Sequence, residues 1–328
     1  MNNNVLLIVI VGLVSILNFE ACYGQLKIGF YDGKCGNQDV ESIVNSVVTG
    51  SFPTDRSMAA ALLRMQFHDC FVTGCDASLL LDGDSSEKKA GANLNVRGYN
   101  LIDEAKTAVE QACPGIVSCS DIIIMATRDA VALSGGSAAR YEVETGRRDG
   151  IISRATDVDL PGPGISVSSA IDQFVNKGLT ATDMVVLLGG HTVGIAHCNF
   201  FQDRLWNFDN TGSADPSMDP ALVETLKLQC PEGKNDESVT VNLDQSPSSS
   251  NIVDNSFYQA IRSSRGILEI DQKLALDPST TDAVATLAND GFRFLNLFGK
   301  SMVNLGGVGV LTGTDGQIRL RCNSVNAN

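Results

Sequence analysis

Apolar positions return every third or fourth residue along most of this chain, the spacing of helices that bury one face. In 39–48 the stripe is Val40, Ile43, Val44, Val47 and Val48. Met58, Ala61, Leu62 and Met65 repeat it in 57–68, and Leu101, Ile102, Ala105, Ala108 and Val109 in 100–112. The same pattern predicts helices over 119–134, 166–177, 181–188, 219–228, 255–264, 280–288 and 291–303. Few segments alternate apolar with polar residues, so any sheet is small and the fold class is mainly α. Pro and Gly interrupt the helices at "LPGPG" (160–164), "SADPSMDP" (213–220) and "DQSPSSSN" (244–251). The first of these is the expected crossing between an N-terminal and a C-terminal half. No repeat of fixed period is present.

One apolar run does not fit a helical domain. Val5 to Leu17 is too short to span a bilayer, and small residues at Cys22 and Gly24 precede Gln25. This predicts a signal peptide over 1–24 and a secreted chain from Gln25. Nine cysteines agree, because removal of Cys22 leaves eight: Cys35, Cys70, Cys75, Cys113, Cys119, Cys198, Cys230 and Cys322. An even set in a secreted chain reads as four disulfides, with connectivity open. No Cys-x-x-Cys and no Asn-x-Ser/Thr occurs. With 328 residues, 43% of them hydrophobic, the chain can bury a large core. Its net charge of −14 argues against nucleic acid and anionic membrane surfaces as partners. The Gly-rich pieces "LLGGHTVG" and "LGGVGVLTG" lack the Lys-Ser/Thr of a phosphate loop.

The chemistry concentrates in "RMQFHDCFVTGCDAS", residues 64–78, which holds one of only three histidines. On a helix Arg64 and His68 share a face, four residues apart. Asp69, Asp76 and Ser78, with loop carbonyls between them, supply the hard oxygens that calcium prefers. A Cys70–Cys75 bridge would close that loop. A histidine supported in this way is placed as a catalytic group must be.

These residues resemble the secretory plant peroxidases (class III heme peroxidases), whose pattern R-x-x-F-H-D-C-F-V-x-G-C-D-A-S is met from Arg64 to Ser78. "LLGGHTVGIAHC" at 187–198 is similar to that family's heme-ligand segment, and the likeness runs from "QLKIGFYDGKC" at 25 to "GQIRLRCN" near the C-terminus. The resemblance implies two helical domains, about 25–165 and 166–328, with heme b sandwiched between them and two calcium ions. It implies His68 as base, Arg64 as the cation beside it, Phe67 as pocket wall and Asn93 as acceptor of the other His68 N–H. It implies His191 as axial ligand, Asp271 as the acid that holds it, and Pro161 at the substrate channel. The calcium near His68, called distal here, would take Asp69, Asp76, Ser78, the carbonyls of Val72 and Gly74, and Glu87 through water. The proximal one would take Thr192, Asp244, Asp254, the Ile252 carbonyl and a hydroxyl from Ser246, Ser248 or Ser249, with Ser249 preferred. The implied disulfides are Cys35–Cys113, Cys70–Cys75, Cys119–Cys322 and Cys198–Cys230.

The implied activity is reduction of hydrogen peroxide and one-electron oxidation of small phenols by a monomer in the cell wall, apoplast or vacuole. Peroxide removal, oxidation of toxic reductants, lignin or suberin formation, auxin catabolism and stress response all stay open. Gly91 and Gly164 stand where some relatives carry aromatics, which implies an open heme edge. Trp206 and His197 read as structural or surface residues. Asp244 and Asp254 also suit helix caps, and Asp271 taken alone also suits a solvated loop. Two other classes fit the sequence less well. A non-heme metal hydrolase lacks close paired histidines, and an inactive calcium-stabilised binding protein would not need Arg64, His68, Asn93, His191 and Asp271 together.

Overall fold

A computed structural model describes residues 26–233, 238–246 and 248–327; the expected leader at 1–24 lies outside them. Each apolar stripe forms a helix. In the N-terminal half these are α1 (Val40–Ser51), α2 (Met58–Cys70), α3 (Tyr99–Ala112) and α4 (Cys119–Gly135). The starts are capped as their sequences require. Asp39 accepts from the Ser42 N–H at 3.1 Å and Ser118 from the Asp121 N–H at 3.1 Å. Helix α4 is buried along most of its length, against α2 with α1 and α3 covering it, and its buried Asp121 and Arg128 pair with Arg147 and Asp129.

The C-terminal half begins with α5 (Val167–Asn176) and α6 (Ala181–Leu188), the latter closed by a reciprocal Thr180–Asp183 capping box. A side cluster follows: β1 (Ile195–His197) and β2 (Thr240–Asn242) pair antiparallel beside α7 (Gln202–Trp206) and α8 (Pro220–Gln229). Phe201, Leu205, Leu222, Leu226 and Val241 form its core. Trp206 packs there and donates to the Cys230 carbonyl at 3.0 Å, a structural role as its sequence context implied. Then come α9 (Ser256–Arg262), α10 (Glu269–Leu276), α11 (Thr281–Asn289) and α12 (Gly291–Gly306). One apolar cluster runs through both halves, and α12 touches both α6 and α2.

Two helices were not legible in the sequence. Helix α10 has only Ile270 and Leu274 as buried apolar positions, and α7 spans five residues. Tertiary bonds fix α10: the Ile270 N–H donates to the Pro163 carbonyl at 2.9 Å, and Gln272 donates to the Ile261 carbonyl at 2.8 Å.

All four implied disulfides are present, Cys35–Cys113, Cys70–Cys75, Cys119–Cys322 and Cys198–Cys230. The widest joins residues 203 apart and ties the C-terminal segment to the start of α4. Beside it, buried Asp149 accepts from the Arg319 N–H at 2.9 Å, and Arg147 pairs with Asp121 at 2.8 Å.

Candidate active site

Helix α2 brings Arg64, Phe67 and His68 to one face and packs against the 3₁₀ turn Gly189–Thr192 that ends α6. That contact sets His68 and His191 on neighbouring elements. Phe67 is wedged between Phe71, with centroids 4.7 Å apart, and Phe174, at 6.0 Å.

The state of His68 follows from a chain of hydrogen bonds. Asn93 Nδ2 donates to the Glu87 carbonyl at 2.8 Å, which turns Asn93 Oδ1 towards His68. Oδ1 lies 2.6 Å from His68 Nδ1 and can only accept, so Nδ1 carries the proton. The lone pair is therefore on Nε2, where it accepts from Arg64 Nε at 3.2 Å. Burial and the Arg64 charge lower the His68 pKa to about 4, against a small opposing effect of Asn93. His68 is thus a neutral base at physiological pH. Arg64 is anchored by donating to the Ala92 and Asn95 carbonyls at 2.9 and 3.2 Å. Each Nη keeps a second N–H for a substrate oxygen.

His191 has the opposite surroundings. Burial opposes its charge, but Asp271, with Oδ1 2.8 Å from Nδ1, outweighs that and raises its pKa. Asp271 is buried in α10 at 2% exposure, so it is not a solvated loop acid. The His191 side chain keeps 31% exposure, and its Nε2 makes no hydrogen bond among the described residues. The Arg64 charge also acts on His191, across the contact between α2 and the turn. A free, Asp-polarised imidazole nitrogen opposite a guanidinium and a neutral imidazole fits an axially ligated heme.

Two oxygen-rich loops flank the histidines. In the distal one Asp69 accepts from the Ala77 and Leu79 N–H groups, and Asp76 from the Ser78 N–H at 3.0 Å. Thr73 Oγ1 lies 3.1 Å from Ser78 Oγ. Burial raises the pKa of Asp69, with Asp76 adding to it, and burial raises those of Asp76 and Glu87, the last to about 7. Neither Glu87 carboxylate oxygen has a partner. Such acids lack sufficient positive charge nearby and fit a hard cation. The Val72 carbonyl accepts from Lys177 Nζ at 2.8 Å.

In the proximal loop Asp244 accepts from Ser249, which is buried, whereas Ser248 is exposed. Ser256, which the sequence did not single out, bridges Asp244 and Thr192 at 3.0 Å each, and Thr192 donates to Asp254 at 3.1 Å. Asp254 also accepts from the Ser256 N–H at 2.8 Å, but the N-cap of α9 is Asn255, so Asp254 does not cap that helix. A carboxylate–hydroxyl set of this kind suits calcium. Among the described residues no three His, Cys, Asp or Glu groups form a ready metal cluster, because both loops depend on hydroxyls and carbonyls.

At the start of α10, two residues before Asp271, a side chain at Gly164 would approach Glu269, while Gly91 faces open space. Pro161, three residues before Gly164, is half-buried.

Residues 44–290 match the family model described as peroxidase. The chain is 53% identical over 313 residues to Peroxidase 60 of Arabidopsis thaliana, covering 95% of this chain and 93% of that one. It is 49% identical over 314 residues to Peroxidase 57 of the same plant, covering 96% and 97%. Peroxidase N1 of Nicotiana tabacum is 42% identical over 320 residues, covering 96% and 95%.

The chain belongs to the plant peroxidase family. Among the described residues of this peroxidase no helix is long and apolar enough to cross a membrane. The sequence missed Ser256 and Thr73 because a serine or threonine beside an aspartate is too common to mark a site. Lys177 carried no signal either, since its partner is a carbonyl 105 residues away.

Proposed function

We propose that this peroxidase is secreted, acts as a monomer, reduces hydrogen peroxide and oxidises small phenols one electron at a time. His191 would hold heme b, and two calcium ions would sit in the oxygen-rich loops. The observation that carries the reading is the bond series from the Glu87 carbonyl through Asn93 to His68 and Arg64, which leaves a lone pair on Nε2.

Heme bound on His191 would supply the redox chemistry of peroxide reduction and donor oxidation. His68 Nε2 takes the proton of the peroxide's inner oxygen and returns it to the outer oxygen as the O–O bond breaks. Arg64 stays protonated and stabilises negative charge on the departing oxygen. Asn93 keeps the base in one tautomer throughout. Asp271 holds the Nδ1 proton of His191, making Nε2 a stronger donor to iron. Asp69, Asp76, Ser78 and the carbonyls of Val72 and Gly74, with Glu87 through water, would hold the distal calcium, directly after His68 in the sequence. Thr192, Asp244, Ser249, Asp254 and the Ile252 carbonyl would hold the proximal one, one residue beyond His191. Pro161 would edge the donor channel, with Gly91 and Gly164 leaving it open.

Purified protein supplied with hemin and calcium is expected to show a Soret band and to oxidise guaiacol with peroxide. Absence of the band would overturn the heme reading. A donor panel then separates wall phenols from auxin-like and defence substrates.

A further inference from the structure

Lys177 is the residue that the chemistry above leaves unused. It follows α5 directly, and its own N–H donates to the Phe174 carbonyl at 3.0 Å, which fixes its backbone. Its side chain crosses from the C-terminal half to the distal loop. Nζ donates to the Val72 carbonyl at 2.8 Å and lies 5.7 Å from the Phe71 ring centroid. That carbonyl belongs to the proposed distal calcium set, so the inference rests on that reading.

A calcium–oxygen distance of about 2.3–2.6 Å, with Nζ 2.8 Å from the same oxygen, puts the ion and the ammonium at most about 5.4 Å apart when both use one carbonyl. Like charges repel strongly at that distance in a largely buried loop. The loop does not need Lys177 for its shape. The Cys70–Cys75 bridge closes it, the Cys75 N–H donates to the Val308 carbonyl at 2.9 Å, and the Asp76 N–H to Gly74 at 2.8 Å. A second cation, Arg319, is fully buried; it donates to the Ala77 carbonyl at 2.6 Å, and its Nε lies 3.8 Å from Asp149.

We propose that Lys177 is a tethered cation that sets the calcium affinity of the distal loop, holding it below what the carboxylates alone would give. Without calcium it is the group that occupies the Val72 carbonyl; with calcium it is a neighbouring charge of the same sign.

The test measures calcium retained by heme-loaded full-length protein, by atomic absorption, across EGTA-buffered free calcium. Lys177→Met is expected to tighten one of the two ions about tenfold, and to widen the gap in melting temperature between calcium-loaded and chelated protein. Lys177→Gln keeps a donor without the charge and carries the same expectation, so a Met variant that fails to fold does not decide. Lys177→Arg keeps the charge and should match the parent. Unchanged or weaker affinity in both neutral variants overturns the role of Lys177. Asp76→Asn separates that failure from failure of the calcium reading: it should lower calcium content by one ion per chain. If it leaves the content unchanged, the distal site is not a calcium site and the proposal falls with it.

Discussion

His68 and His191 are chemically identical side chains on neighbouring elements, and their surroundings drive them apart. His68 faces an amide oxygen and a guanidinium, and its pKa falls to about 4 under burial and the Arg64 charge. His191 faces a carboxylate, and its pKa rises although burial opposes this. One is a neutral imidazole whose Nε2 lone pair faces the Arg64 guanidinium, the other an imidazole polarised by a carboxylate. The difference lies in the partner on Nδ1. An acceptor without charge leaves the imidazole neutral, whereas an acceptor with full negative charge strengthens its donor nitrogen.

The contrast can be broken most severely at His191. His191→Ala removes the proposed iron ligand and should abolish the Soret band of hemin-treated protein; an unchanged band would refute the ligand assignment. Next, His68→Ala should keep the band while lowering kcat/KM for peroxide about 10²–10⁴-fold. Near-parental turnover would rule out His68 as the base. Asp271→Asn should make the His191 environment resemble that of His68. Loss of the negative partner should cost about 10–100-fold in heme affinity or activity, read by hemin titration and by a raised reduction potential.

Asn93→Asp performs the reverse exchange, giving His68 a charged partner. The sign follows from the base having to be neutral. In the parent, peroxide reactivity should be present above about pH 4 and should be lost as pH falls through that value. A carboxylate at 93 should raise the His68 pKa by about 1–3 units, so the acid limb moves up by that amount in a stopped-flow pH profile. A limb that stays in place would remove Asn93 from the tuning of the base. The smallest expected effect concerns the proximal loop. Ser249→Ala should lower the melting temperature of the calcium-loaded protein by removing a buried hydrogen bond worth about 1 kcal/mol. Ser248→Ala, at an exposed position, should leave it unchanged.

What the sequence determined by itself was whatever local pattern encodes. The helical stripes reflect 3.6-residue periodicity, which is readable over ten or more residues, and α1 to α6 follow it closely. The span from Arg64 to Ser78 holds so many chemical groups at fixed spacing that the proposed base, its cation and the distal oxygens were legible together. The connectivity of the cysteines came from family likeness, since spacing leaves many pairings open.

Only the tertiary structure decided the long-range matters. Helix α10 is too short to show a period, yet it buries Asp271 against His191 across 80 residues. Ser249 is distinguished from Ser246 and Ser248 by which hydroxyl is buried against Asp244, a choice made by chain packing. Ser256 and Lys177 find partners at sequence separations that no motif spans. The pKa values of the two histidines belong to this second class as well. Burial and partner charge set them, and both exist only once the helices are packed.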